Sequence, residues 1–278
     1  MLRFFMLITL ALTTLHAEIA PATTIIDQRN IAENSCGPVA LMNAYLWSAP
    51  AWKATTAKLP KDPAKQFEYL RQRHFRQYSP HTYLKQRWDK KNGARADDMR
   101  DAINAFHRKA KLPKVQLEHL FTQKDESHAE LANRLHRRIQ QSLQNGFPPL
   151  LTINRFARIQ YQYGGHRWGT LASHYLTVTE ASINPENATL TLTYLDPWGG
   201  RKLSGTLIPD TERQYFANNV HSKTDKKFRK NPCLSVDFPY SATGAEELTA
   251  QQANALVATQ LIFATAAPPS IHNTTLSD

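Results

Sequence analysis

The spacing of apolar residues changes near residue 150, and this change restricts the fold more than any other feature. Between Glu130 and Leu143 the apolar residues recur every four positions, a spacing typical of one buried face of a helix. Beyond it, Leu150–Ile153 is a short apolar run, and Thr189–Leu195 alternates threonine with apolar residues, which predicts strands. Because helices come first and antiparallel strands second, the sequence predicts an α+β fold in which an N-terminal helical layer packs on a C-terminal antiparallel sheet.

The first 17 residues have the pattern of a secretory signal peptide. Arg3 supplies a short basic region, Phe4–Leu15 is mostly apolar, and Ala17 is a small residue suited to cleavage. The apolar stretch is shorter than the roughly 20 residues that a bilayer-spanning helix requires. We therefore expect a secreted or periplasmic protein whose mature chain has no transmembrane segment, with one domain over residues 18–266 and a flexible tail over residues 267–278.

The positive charge of the chain is concentrated in residues 51–145. This region, which we expect to be mainly helical, holds 21 lysines and arginines against 10 aspartates and glutamates, whereas the rest of the chain is close to neutral. A basic face of this kind suits an acidic polymer or an anionic surface. Acidic residues are interleaved with the basic ones, however, so an ordinary solvated helical surface explains the same pattern.

The chain has two cysteines, Cys36 and Cys233, in different contexts. In an oxidising compartment they are able to form one disulfide across a long loop. Cys36, however, stands directly before Gly37-Pro38 and a run to Trp47 that predicts a buried helix, since proline is tolerated in the first turn. A helix N-terminus favours the thiolate that a nucleophilic cysteine needs, and its free N–H groups are able to hold an oxyanion. Cys36 is therefore either a nucleophile or a disulfide partner.

A nucleophilic cysteine needs a base and a group that orients the base, and His174 and Asp196 suit these roles. His174 opens one predicted strand and Asp196 ends the next, with a turn at residues 184–187 between them. If the two strands pair as an antiparallel hairpin, both side chains lie at the same end of the sheet. His166, in a glycine-rich segment predicted to be a loop, is the rival base. The alternatives are a structural core histidine at 174 and a simple turn-forming aspartate at 196.

These ordered motifs resemble those of the bacteriocin-processing cysteine peptidases, peptidase family C39, and their C39-like relatives, which have a papain-like fold. The resemblance spans roughly residues 25–210 and rests on three short motifs: Cys36-Gly37-Pro38 followed by Ala40-Leu41 and Asn43, His174-Tyr175 with Val178, and Asp196-Pro197 with Gly199. It implies that Cys36 is the nucleophile, that His174 is the general base and then the general acid, and that Asp196 orients the imidazole.

The resemblance also implies a glutamine upstream of the cysteine that completes the oxyanion hole. Such proteins usually place it six residues before the cysteine, where this chain has Asn30, and Gln28 lies two residues further away. We assign the role to Gln28, with Asn30 as the alternative. The basic region at residues 51–145 lies between the first two motifs and is an insertion relative to the minimal pattern.

Together these features predict an exported cysteine hydrolase that cleaves peptide or amide bonds of a peptide or protein substrate through a thioester intermediate. No cofactor is implied, and no spacing of histidine and cysteine indicates a metal site. One alternative is an acyltransferase of the same fold, which passes the acyl group to an amine instead of water. The other is a catalytically inactive C39-like module that binds a peptide or an acidic cell-envelope polymer.

Overall fold

The computed structural model describes residues 24–83, 85–120, 126–160, 166–209, 233–238 and 254–269. The predicted signal peptide at residues 1–17 and the tail beyond residue 269 lie outside this range. The helices are α1 (Cys36–Leu46), α2 (Pro50–Thr56), α3 (Pro63–Leu70), α4 (Ala96–Ala110) and α5 (His128–Gln144), with a 3₁₀ turn at Gln28–Asn30 and a π-helical turn at Arg71–Phe75. Among the described residues, no helix combines the length and the apolar character that crossing a bilayer requires.

The strands form one small hairpin and one large antiparallel sheet. The hairpin pairs β1 (Trp88–Asp89) with β2 (Gly93–Ala94). The large sheet has the order β3-β9-β4-β5-β6-β7-β8. Its strands are β3 (Val115–His119), β4 (Leu150–Gln160), β5 (His166–Ile183), β6 (Leu190–Asp196), β7 (Arg201–Pro209), β8 (Leu234–Asp237) and β9 (Asn254–Ala264).

The large sheet closes on itself between β8 and β9. Leu234 pairs with Ala258 and Ser235 with Val257, so the six strands from β4 to β9 form a closed antiparallel barrel. β9 joins the ends because it pairs with β4 over most of its length, with β8 at residues 257–258 and with β3 at residues 260–264. The barrel therefore depends on a strand close to the C-terminal end of the described chain.

The prediction of a papain-like fold, with an N-terminal helical layer packed on a C-terminal antiparallel sheet, is wrong, because the strands close into a barrel. Five of the nine strands were not foreseen. β1, β2 and β3 lie in the region expected to be mainly helical, and β8 and β9 lie in a part of the chain for which no strand was predicted. The β9 sequence, NALVATQLIFA, lacks a clean polar-apolar alternation because its residues pack on both faces of the sheet, and such runs are hard to tell from helices.

Opposite faces of the sheet pack against different helices. Leu150 and Tyr175 belong to a core cluster that contains the buried side chains of α1, whereas the adjacent Leu151 and Leu176 belong to a second cluster. The second cluster draws residues from all six barrel strands, so it fills the barrel interior. Helix α5 contributes to it three residues at four-residue spacing, namely Leu131, Leu135 and Ile139. The helix that carries Cys36 therefore packs on the outer face of the barrel.

Candidate active site

Cys36 is the first residue of α1, a helix that is buried on nearly all sides. Every residue from Gly37 to Tyr45 is buried, so α1 lacks the polar face of an ordinary surface helix. Thr177 in β5 donates through Oγ1 to the carbonyl oxygen of Ala40 at 2.7 Å, which ties the helix to the barrel. Cys36 itself is partly exposed, at the end of the helix where backbone N–H groups have no intrahelical partner.

Gly37 allows the start of α1 to approach β5 closely. A Cβ atom at this position would lie 2.9 Å from Sδ of Met99 and 3.3 Å from the ring of Tyr175. Both neighbours are themselves buried, so neither has free space in which to move. Because Tyr175 follows His174 in β5, this close packing is part of what brings Cys36 to the imidazole.

His174 and Asp196 meet where the sequence predicted, at one end of the β5–β6 hairpin. The two strands pair antiparallel around the turn at residues 184–187, with Thr177 opposite Leu195. His174 Nε2 lies 2.8 Å from Asp196 Oδ1, and both side chains are almost completely buried. The same carboxylate oxygen accepts a hydrogen bond of 2.8 Å from the backbone N–H of Trp198, which fixes its orientation.

The electrostatic environment keeps His174 protonated at neutral pH. Burial of the ring by itself lowers its pKa, but its interactions with Asp196 and Cys36 raise the pKa to about 9. Because Nε2 is bonded to Asp196, the other ring nitrogen, Nδ1, is the one left to face the sulfur. The arrangement is an imidazolium between a buried carboxylate and a partly exposed cysteine.

The alternative of a disulfide between Cys36 and Cys233 is not realised. Both cysteines lie in the described part of the chain, and neither forms a disulfide. Cys233 is buried immediately before β8, whereas Cys36 is the partly exposed one. The thiol at position 36 is thus available for chemistry.

Gln28 and Asn30, the two candidates for the oxyanion hole, differ in their surroundings. Gln28 is buried, and its Oε1 has no hydrogen-bond partner among the described residues, whereas Asn30 is exposed. The backbone N–H of Gln28 donates to the carbonyl oxygen of Pro197 at 2.8 Å. Since Pro197 follows Asp196 directly, Gln28 lies next to the turn that follows the Asp196 carboxylate, which favours Gln28 over Asn30.

Asp27 and Asn43 hold Gln28 in this place, and the sequence reasoning assigned neither this role. Asp27 accepts hydrogen bonds from the backbone N–H of Arg29 and, at 3.0 Å, from that of Gly199. Asn43 in α1 bonds to both the N–H and the carbonyl oxygen of Ile26. The contacts with Gly199 and Ile26 join residues far apart in sequence. The available signal was the position of Asn43 two helical turns after Cys36, on the same face of α1.

The basic region predicted as an insertion supports the segment before Cys36. The indole N–H of Trp88, in β1, donates to the carbonyl oxygen of Asn34 at 2.9 Å. Asn34 adopts a left-handed backbone conformation with φ of 52°, which asparagine tolerates better than most residues. On the other side of the hairpin, the Tyr175 hydroxyl donates to the carbonyl oxygen of Ala94 at 3.0 Å. The hairpin thus connects the cysteine loop to β5.

His166, the rival base, has a side chain that lies outside the described residues. Its backbone lies in β5 instead of the predicted loop. Within the described ranges, no group of three or more histidine, cysteine, aspartate or glutamate side chains is placed to hold a metal ion.

Comparison with known proteins adds no assignment: no protein-family model matches this chain, and no curated protein matches it.

Proposed function

We propose that this protein is a cysteine hydrolase that cleaves peptide or amide bonds with Cys36, His174 and Asp196. The observation that carries the proposal is the pairing of His174 on both sides, with the buried Asp196 carboxylate at 2.8 Å and with the partly exposed Cys36. A structural histidine has no need of a thiol at a helix N-terminus. An imidazolium that stabilises a thiolate is, by contrast, the form in which a cysteine is a ready nucleophile at neutral pH.

The proposed reaction proceeds in two acyl-transfer steps. The Cys36 thiolate attacks the carbonyl carbon, and backbone N–H groups at the start of α1, with the side-chain amide of Gln28, stabilise the oxyanion. The tetrahedral intermediate collapses as the His174 imidazolium donates its Nδ1 proton to the leaving amine, which leaves a thioester on Cys36 and a neutral imidazole. Water then loses a proton to that imidazole as it attacks the thioester, and release of the acid restores the thiolate and the imidazolium.

Two further inferences belong to this proposal. The resemblance of the three motifs to C39-like peptidases supports the residue roles, although the barrel is not the fold that the resemblance implied. The pattern of residues 1–17 supports export, so we propose that the hydrolase acts outside the cytoplasm on a peptide or protein.

A thiol-directed acyloxymethyl ketone tests the nucleophile. We expect one equivalent of probe on Cys36 at pH 7, no labelling of the Cys36→Ala variant, and unchanged labelling of the matched Cys233→Ala variant. Circular dichroism of each variant checks that the fold is retained. Labelling that persists in Cys36→Ala, or that disappears only in Cys233→Ala, contradicts the proposal.

Turnover of p-nitrophenyl acetate separates the hydrolase from its two alternatives. A hydrolase releases many equivalents of p-nitrophenol without any added amine, because water deacylates the thioester. Release of a single equivalent until an amine is added indicates an acyltransferase. Absence of both labelling and release, combined with salt-sensitive binding of peptide or acidic polymer, indicates an inactive binding module.

A further inference from the structure

A cavity of about 500 Å³ lies among the N-terminal helices, apart from the residues of the proposed active site. Its wall is formed by residues of α2 and the segment after it, of α3, of the π-helical turn and of the C-terminal end of α4. Four of its lining residues are cationic and none is acidic; the cations are Lys58, Arg73, Lys109 and Lys111. The volume falls within the range typical of pockets for small molecules.

Within the described part of the chain, the four cations have no carboxylate partners. Among the ion pairs of the described residues, none involves Lys58, Arg73, Lys109 or Lys111. A concave surface with several uncompensated charges of one sign concentrates its field in the cavity. The cavity is therefore electrostatically suited to an anion.

His74, in the cavity wall, lies in the same positive electrostatic field. Its side chain is 2% exposed, and its Nδ1 has no hydrogen-bond partner among the described residues. Burial first, and then the positive charges of Lys109, Arg73 and Arg87, together lower its pKa to about 4. A buried, neutral imidazole with an unused ring nitrogen is a polar group that a bound ligand is able to satisfy.

The rest of the wall is apolar and aromatic. Leu59 and Phe106 are buried core residues that reach the cavity, and Tyr69 contributes its ring. The Arg73 guanidinium lies 4.5 Å from the centre of the Tyr69 ring, a stacking that holds the guanidinium plane in place while its N–H groups remain donors. A ligand that matches this wall has an oxyanion at one end and an apolar group at the other.

We propose that this cavity binds a small organic anion in which a doubly charged oxyanion, such as a phosphate monoester, is attached to an apolar or aromatic group. Several cations without counter-charges favour a charge of two over one, and arginine binds phosphate through paired N–H donors. The apolar wall then adds affinity that inorganic phosphate cannot gain. The proposal does not depend on the activity proposed for Cys36.

Isothermal titration calorimetry with three probes tests the match between ligand and wall. We expect phenyl phosphate to bind more tightly than benzoate, which has the ring but a single charge, and more tightly than inorganic phosphate, which lacks the ring. The Cys36→Ala variant should bind phenyl phosphate as the wild type does, so a failure here is distinguishable from a failure of the proposed hydrolase. Equal affinity for all three probes, or no binding of phenyl phosphate, overturns the proposal.

Variants that remove a charge from the cavity wall test whether phenyl phosphate binds in this cavity. Arg73→Gln should weaken phenyl phosphate binding about tenfold or more, because charge-assisted hydrogen bonds are lost. Lys111→Gly is a second variant that avoids misfolding, since Lys111 has φ of 56° at the end of α4, a conformation that glycine adopts without strain. The matched control Lys91→Gln removes one exposed charge of the basic region outside the cavity and should leave the affinity within about twofold.

Vesicles separate a soluble ligand from a membrane surface. We expect phenyl phosphate to bind the protein in free solution. We also expect that any binding of the protein to vesicles that contain an anionic phospholipid is the same for the wild type and for Arg73→Gln. Binding that occurs only on such vesicles, or that Lys91→Gln weakens as much as Arg73→Gln does, overturns the proposal in favour of a diffuse basic surface.

Discussion

At the scale of single residues, Asp196 is the residue of the site whose charge most needs compensation. Its carboxylate is fully buried. Oδ1 accepts hydrogen bonds from the His174 ring and from the backbone N–H of Trp198, whereas Oδ2 has no partner among the described residues. A buried carboxylate is stable only when a positive charge compensates it. The imidazolium of His174 supplies that charge, and the carboxylate in turn raises the pKa of the His174 ring.

Replacement of Asp196 by asparagine should therefore make the Cys36 thiol less reactive. The amide has no charge, so burial dominates and the pKa of His174 falls; without an imidazolium the Cys36 thiolate is no longer stabilised. We expect the rate of Cys36 alkylation at pH 7 to fall at least about tenfold. The same substitution at the exposed Asp237 in β8 is the control. Wild-type rates in Asp196→Asn would show that the carboxylate does not act on the thiol.

At the scale of elements, the approach of α1 to β5 decides whether sulfur and imidazole meet. The approach rests on Gly37, whose missing side chain leaves room for Met99 and Tyr175, and on the hydrogen bond from Thr177 to Ala40. Helix α1 packs on the outer face of the barrel, and His174 and Asp196 lie at one end of the β5–β6 hairpin. The site therefore forms only when helix and hairpin are in contact.

Replacement of Gly37 by alanine should push the two elements apart. The new Cβ would overlap Met99 Sδ at 2.9 Å, so we expect a loss of about 1–3 kcal/mol in the free energy of unfolding and slower alkylation of Cys36. Urea unfolding measures the first effect. In a double-mutant cycle with Met99→Ala, the two losses should be less than additive because the smaller side chain relieves the overlap. Strict additivity would argue against this contact.

The same scale shows what the sequence reveals and what it hides. Cys36, His174 and Asp196 were predictable because local patterns (a helix start and a hairpin around a turn) already determine where these residues lie. Asp27 was not, because its bond to Gly199 joins residues 172 positions apart and leaves no periodic signal. β9 was missed for a different reason: a strand buried on both faces has no alternation.

At the scale of the whole molecule, closure of the barrel depends on the contact of β8 with β9. Two residue pairs, Leu234 with Ala258 and Ser235 with Val257, join the strands. The barrel interior receives side chains from all six strands and from α5, so an open sheet would expose that interior to water. Closure thus supports the outer face on which α1 packs.

A cysteine pair across the junction tests closure. In a Cys36→Ala, Cys233→Ala background, Ser235→Cys and Val257→Cys should form a disulfide under mild oxidation, detectable by mass spectrometry, because the two residues are direct strand partners. As a control, Ser235→Cys is combined with Leu261→Cys. Leu261 lies four residues along β9 from Val257, a distance of roughly 13 Å, so this cysteine pair should stay reduced. A reduced Ser235–Val257 pair, or equal oxidation of both pairs, contradicts the closed barrel.

The account as a whole depends on the ionic state of His174, which nuclear magnetic resonance of ¹⁵N-labelled histidine measures directly. With a pKa of about 9, the ring should carry both protons at pH 7.5 and lose one as the pH rises through about 9. Removal of the sulfur in Cys36→Ser should shift this transition to lower pH, and His174→Gln identifies the signal. A wild-type ring that is neutral at pH 7.5, or a transition that Cys36→Ser does not move, would contradict the proposed pairing of thiolate and imidazolium.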